Sequence, residues 1–83
     1  MKPDHVILGV HITDRTKEAV EVQKLLTHYG SSIKTRLGLH ELGNSPEGLM
    51  LLEIVGDSKT WKEMAKQLSA IEGIEVKEMV FAH

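Results

Sequence analysis

Five histidines, His5, His11, His28, His40 and His83, are the side chains of this 83-residue sequence best suited to chemistry. Imidazole ligates zinc, nickel or copper, and a site needs three or four donors converging within a few ångströms. His5 and His11 share one face of an extended apolar segment, yet at ~3.3 Å per residue they stand roughly 20 Å apart. His40 falls on a segment expected at a sheet edge, away from His11. One copy does not gather the imidazoles, although an oligomer can, so surface or interface histidines are the plainer reading. No Ser/His/Asp set or carboxylate pair has a spacing that serves nucleophilic or acid–base catalysis. A general base at His11 or His40 finds no companion, and an enzyme is not expected. Asp14 and Asp57 each precede a helical pattern and read as helix caps rather than catalytic acids.

Composition removes further chemistry. The absence of cysteine excludes disulfides, thiolate nucleophiles, cysteine zinc sites and cysteine-ligated iron–sulfur clusters. A net charge of −2 argues against a nucleic-acid footprint, which needs clustered Lys and Arg. Tyr29, Trp61 and Phe81 are too few and too scattered for a base-stacking platform. No apolar run approaches the ~18 residues of a membrane span. The start, MKPDHV, lacks a signal peptide's apolar stretch, and a cytoplasmic location is expected. The length predicts one domain over residues 1–83, and 41% hydrophobic with 27% charged residues suits a globular chain. So short a chain buries only about 60–65% of its unfolded surface, a reason to pair with a second copy.

The elements that carry these residues follow from periodicity. Residues 5–12 alternate, with Val6, Leu8, Val10 and Ile12 on one face, and predict a strand. Thr13 or Asp14 caps a helix whose stripe is Ala19, Val22, Leu25, Leu26 and Tyr29, with Gly30 as a left-handed stop. A second strand runs over 32–40, placing Ile33, Thr35, Leu37 and Leu39 opposite Lys34, Arg36, Gly38 and His40. Residues 41–48 are dense in turn formers and predict a hairpin loop. A third strand over 49–55 is apolar on both faces apart from Glu53, which suits a central position. Asp57 caps a second helix with Trp61, Met64, Ala65, Leu68 and Ile71 inward, Gly73 closes it, and residues 74–82 form the last strand.

The order is βαββαβ, two strand–helix–strand halves with crossovers long enough to be right-handed. It predicts an α+β, ferredoxin-like two-layer sandwich with antiparallel sheet order 4-1-3-2. Both helices then cover one sheet face. The uncovered face is expected to carry Ile7, Leu49, Leu51, Val55, Met79 and Phe81, mixed with His5, His11, Arg36, His40 and Glu53. Such a patch marks an association surface, predicting a homodimer or homotetramer formed through the sheet. Three families with this order fit poorly. The turn Thr13-Asp14-Arg15-Thr16 lacks the glycine-rich phosphate cradle of acylphosphatases and the paired cysteines of heavy-metal-transport domains. The central strands offer Ile7, Leu49 and Leu51 where RNA-recognition domains carry aromatics.

The segments His5-Val-Ile-Leu-Gly-Val-His-Ile-Thr-Asp-Arg15, Val22-Gln-Lys-Leu-Leu26, Ile33-Lys-Thr-Arg-Leu-Gly38, Leu51-Leu-Glu-Ile54 and Leu68-Ser-Ala-Ile-Glu-Gly-Ile-Glu-Val-Lys77 resemble the iron-only hydrogenase system regulators. The likeness runs over nearly the whole chain, mostly in core and turn residues. That family is similar to ACT domains and to the metal-binding domain of the nickel-responsive repressor. The resemblance implies a ligand-sensing domain that pairs through its sheet and binds small ligands or metal ions at subunit interfaces. Gly38-Leu39-His40 stands where the nickel repressor carries histidine-x-histidine, and His28 near a further ligand histidine, while its cysteine ligand has no counterpart. ACT domains carry a glycine in the first strand–helix turn, where this sequence has Asp14-Arg15-Thr16-Lys17. The chain begins almost directly with its first strand, so regulation is expected through a partner protein or small molecule rather than DNA.

The expected function is a non-enzymatic regulatory module with a small-ligand site between copies and no cofactor. Asp14, Arg15, Arg36, Gly38 and His40 are the candidate ligand residues, with Arg36 able to pair an anionic group in two-point fashion. The alternative is a nickel or zinc sensor using His28 and His40 with donors from another copy.

Overall fold

The computed structural model describes residues 4–13, 15–40 and 47–81, and for 15–19, 39 and 40 the backbone only. Strand β1 is His5–Ile12, helix α1 Arg15–His28, strand β2 Ile33–His40, strand β3 Gly48–Ile54, helix α2 Ser58–Ser69 and strand β4 Ile74–Phe81. The sheet is fully antiparallel in the order β2-β3-β1-β4, the predicted 4-1-3-2 read from the other edge. The chain is thus a ferredoxin-like α+β sandwich.

The period-2 pattern of β1 sets the core. Val6, Leu8, Val10 and Ile12 are all buried, with Leu8 and Val10 at 0% exposure. Met50, Leu52 and Ile54 of β3 join them, and Val22, Leu26 and Tyr29 of α1 with Trp61, Met64, Ala65 and Leu68 of α2 close the layer above. Leu25 and Ile71 pack at the margin of that core. Both helical stripes therefore lie as their spacing predicts, with the side chain of Ala19 outside the description.

The helix ends hold one agreement and three differences. Asp57 caps α2, its Oδ1 accepting the Thr60 backbone N–H at 2.8 Å and the Thr60 hydroxyl at 2.7 Å. The Thr60 hydroxyl and then its N–H stabilise the charged form and hold the carboxyl below its usual range. Gly73 does not close α2, which ends at Ser69 with Ala70 as its cap; with φ 86° it forms a left-handed turn directly before β4. Gly30 does not adopt that conformation; it opens a short 3₁₀ turn, Gly30–Ser32, that leads directly into β2. Thr13 does not cap α1 through its hydroxyl, which donates to the Gly73 carbonyl at 2.6 Å while its N–H does so at 3.0 Å. That stitch ties the end of β1 to the turn before β4. Asp14 and residues 41–46 of the predicted hairpin loop lie outside the described residues, while the flanking strands pair antiparallel down to His40 and Gly48.

Strand β2 departs most from expectation. A bulge between Ile33 and Thr35 shifts its register, so Ile33 pairs with Ile54 but Thr35 pairs with Glu53. The extra residue reverses the alternation from that point on. Leu37 lands beside Leu51 on the uncovered face, 50% exposed, and Arg36 pairs with buried Leu52 on the helix side.

Candidate functional site on the uncovered sheet face

Paired residues of antiparallel strands share a face, so the register spells out the surface opposite the helices. Ile7 stands between Met79 and Glu53, and Glu53 is followed by Thr35. Gly9 stands between Lys77 and Leu51, and Leu51 is followed by Leu37. His11 lies between Glu75 and Leu49, and His5 pairs with Phe81. Met79 and Phe81 are 54% and 55% exposed, values that set them apart from their buried neighbours on β1. Gly9 brings no side chain to the middle of this face, leaving a shallow hollow of about 110 Å³ walled by Ile7, Leu51, Lys77 and Met79. A Cβ there would meet the Lys77 carbonyl oxygen at 3.7 Å and Leu51 Cδ2 at 3.8 Å, ordinary contact distances.

Glu53 organises the polar part of the face. Thr35 donates its hydroxyl to Glu53 Oε1 at 2.6 Å, and His5 Nε2 donates to Oε2 at 2.8 Å. The Thr35 hydrogen bond first, then the His5 hydrogen bond, hold the Glu53 carboxyl below its ordinary value, with Lys34 adding to the effect. A carboxylate so held is a weak base, and the arrangement positions groups rather than activating them. The His5 ring also leans on Phe81, centroids 6.4 Å apart at 52°. His11 Nε2 lies 3.5 Å from a Glu47 carboxylate oxygen. The sequence offers His5 and Glu53, but only the bulge brings Thr35 to them, and no spacing in the sequence announces a bulge.

The expected ligand residues on β2 register with the helix side of the sheet. Asp14 lies outside the described residues, and Arg15 opens α1 with its side chain undescribed. Arg36 and Gly38 pair with Leu52 and Met50, so they belong to the helix side and not, as expected for Arg36, to the uncovered face; the His40 backbone pairs with Gly48, and its side chain lies outside the description. Arg36 is nonetheless exposed because β2 is the outer strand of the sheet. A Cβ on Gly38 would meet nothing within 4 Å, so the backbone there is open to approach. His28 is exposed at the end of α1, edge-on to Tyr29 with centroids 4.8 Å apart. Among the described residues no three His, Asp or Glu side chains gather as a metal-binding group.

Comparison with known proteins gives the fold a relative. No protein-family model matches the chain, and no curated protein matches it. A solved structure of an uncharacterized protein from Thermotoga maritima superposes with a TM-score of 0.86 at 24% identity, covering 99% of this chain and 100% of that one. That similarity is one of fold. Among the described residues no helix is long and apolar enough to cross a membrane.

Proposed function

We propose that this chain is a small non-enzymatic regulatory domain that senses a ligand as a homo-oligomer, two copies meeting through their uncovered sheet faces. The observation that carries the reading is the apolar centre of that face, where Ile7, Leu51 and Met79 surround the bare backbone of Gly9 and Leu37 extends the patch beyond Leu51. Four strands at ~4.8 Å spacing and about 25 Å of length present roughly 500 Å² per copy. Two such faces together bury about 1,000 Å², the lower bound for a specific interface. The charges suit a second copy as well, since Lys77 and the acidic Glu53 and Glu75 share the face and a two-fold axis can set one against the other.

The sequence likeness to iron-only hydrogenase system regulators supports placing the module in such a system. Arg36, Gly38 and His40 of the outer strand β2, together with Asp14 and Arg15, are proposed to hold the ligand. There the exposed Arg36 guanidinium and the open backbone at Gly38 suit an anionic group. Light scattering on the purified chain tests the pairing. A dimer or tetramer is expected, and Leu37→Glu is expected to yield a monomer with an unchanged circular dichroism spectrum. A wild-type chain that stays single at high concentration overturns the proposal.

A further inference from the structure

On the helix layer, away from the uncovered face, α2 and the edge strand β4 border an open hollow of about 360 Å³. Buried Trp61 and half-buried Val76 lie beneath it, and exposed Lys62, Lys66, Ser69 and Glu78 form its rim. The two lysines and the serine recur at four- and three-residue steps, so one stripe of α2 presents all three. Among the described residues neither ammonium is ion-paired and the Ser69 hydroxyl makes no hydrogen bond. Lys62 Nζ rests instead over the Trp61 ring, 5.7 Å from its centroid.

Trp61 adds an independent observation. It is only 5% exposed, and its indole N–H is buried with no acceptor. Folded proteins seldom leave a buried donor unmatched. The hollow thus gathers two ammonium groups and a hydroxyl over the wall formed by Trp61, with one acceptor, Glu78, beside them.

We propose that this hollow is a binding site for a small oxyanion, a carboxylate or a phosphate. The anion sits between Lys62 and Lys66, and a shift of the exposed Lys62 chain opens the indole N–H to it. Glu78 leaves the rim one net positive charge, which favours a compact anion over a polyanion.

Trp61 is the single tryptophan, so its fluorescence reads the hollow directly. Titration with inorganic phosphate or with malonate is expected to change that emission saturably, whereas sodium chloride at equal ionic strength does not. The anion that saturates first identifies the headgroup. Replacing both exposed lysines (K62Q/K66Q) is expected to weaken binding about tenfold with the fold intact. Calorimetry on Trp61→Phe, which keeps a ring but loses the donor, is expected to show about threefold weaker binding. The assignment is overturned by a response that chloride reproduces, by no saturation with either anion, or by unchanged affinity in either variant.

Discussion

The two faces of the sheet are built from the same strands and have opposite fates. On the helix side Leu8 and Leu52 are 0% exposed, packed beneath Met64 and Leu68. On the other side Leu37 and Met79, of similar size and hydrophobicity, are about half exposed. Hydrophobicity alone therefore does not assign a residue to the core. Alternation, together with the helices' position, decides which leucine stabilises the fold and which remains available to a partner.

That contrast can be broken most directly from the covered side. Leu8→Ala or Leu52→Ala is expected to cost about 2–5 kcal/mol in urea unfolding, through lost burial and a residual cavity. Leu37→Ala is expected to change stability by less than about 0.5 kcal/mol at low protein concentration. Equal losses would mean that the second face is closed within one copy. The attachment of the cover comes next. Gly73→Ala forces a side chain into the left-handed region and is expected to cost about 1–2 kcal/mol, read as a lowered urea midpoint. Asp57→Ala removes the α2 cap, for about 1 kcal/mol by the same assay.

The smallest effect belongs to the uncovered face. Because the fold lowers the Glu53 pKa, its contribution is present above the unfolded value and is lost as pH falls through the folded one. Melting temperatures of wild type and Glu53→Gln should differ slightly at neutral pH and converge below the ordinary value of 4.5. A gap that persists in acid would assign the effect to side-chain shape rather than charge.

Much of this architecture is legible in the residues. The strict alternation of 5–12, the helical stripes of 19–29 and 61–71, and the two-sided apolar run of 49–54 each lead to the element observed. Asp57 is legible as a cap because a side-chain acceptor precedes a clear helical stripe. Strand β2 is not legible in the same way. Its alternation looks regular, but the bulge at Ile33/Thr35 follows directly on the 3₁₀ turn, where the Ser32 carbonyl accepts the Val55 N–H at 2.8 Å, a tertiary pairing that local periodicity does not contain. Hence Leu37 is expected in the core and Arg36 on the open face, and the observed register reverses both. The polar cluster around Glu53 escapes notice for the same reason, since Thr35 joins it only after the reversal.

The bulge makes the outer strand an adjustable element. With β3 fixed as its partner, the extra residue lets Ile33 face the helices opposite Ile54 while Thr35, two positions on, faces away opposite Glu53. Loss of Lys34, the residue the bulge adds, would restore regular pairing with Thr35 still opposite Glu53 and Leu37 still opposite Leu51, leaving the other three strands untouched. One irregular position thus lets the border strand serve the core at its start and the open surface immediately after.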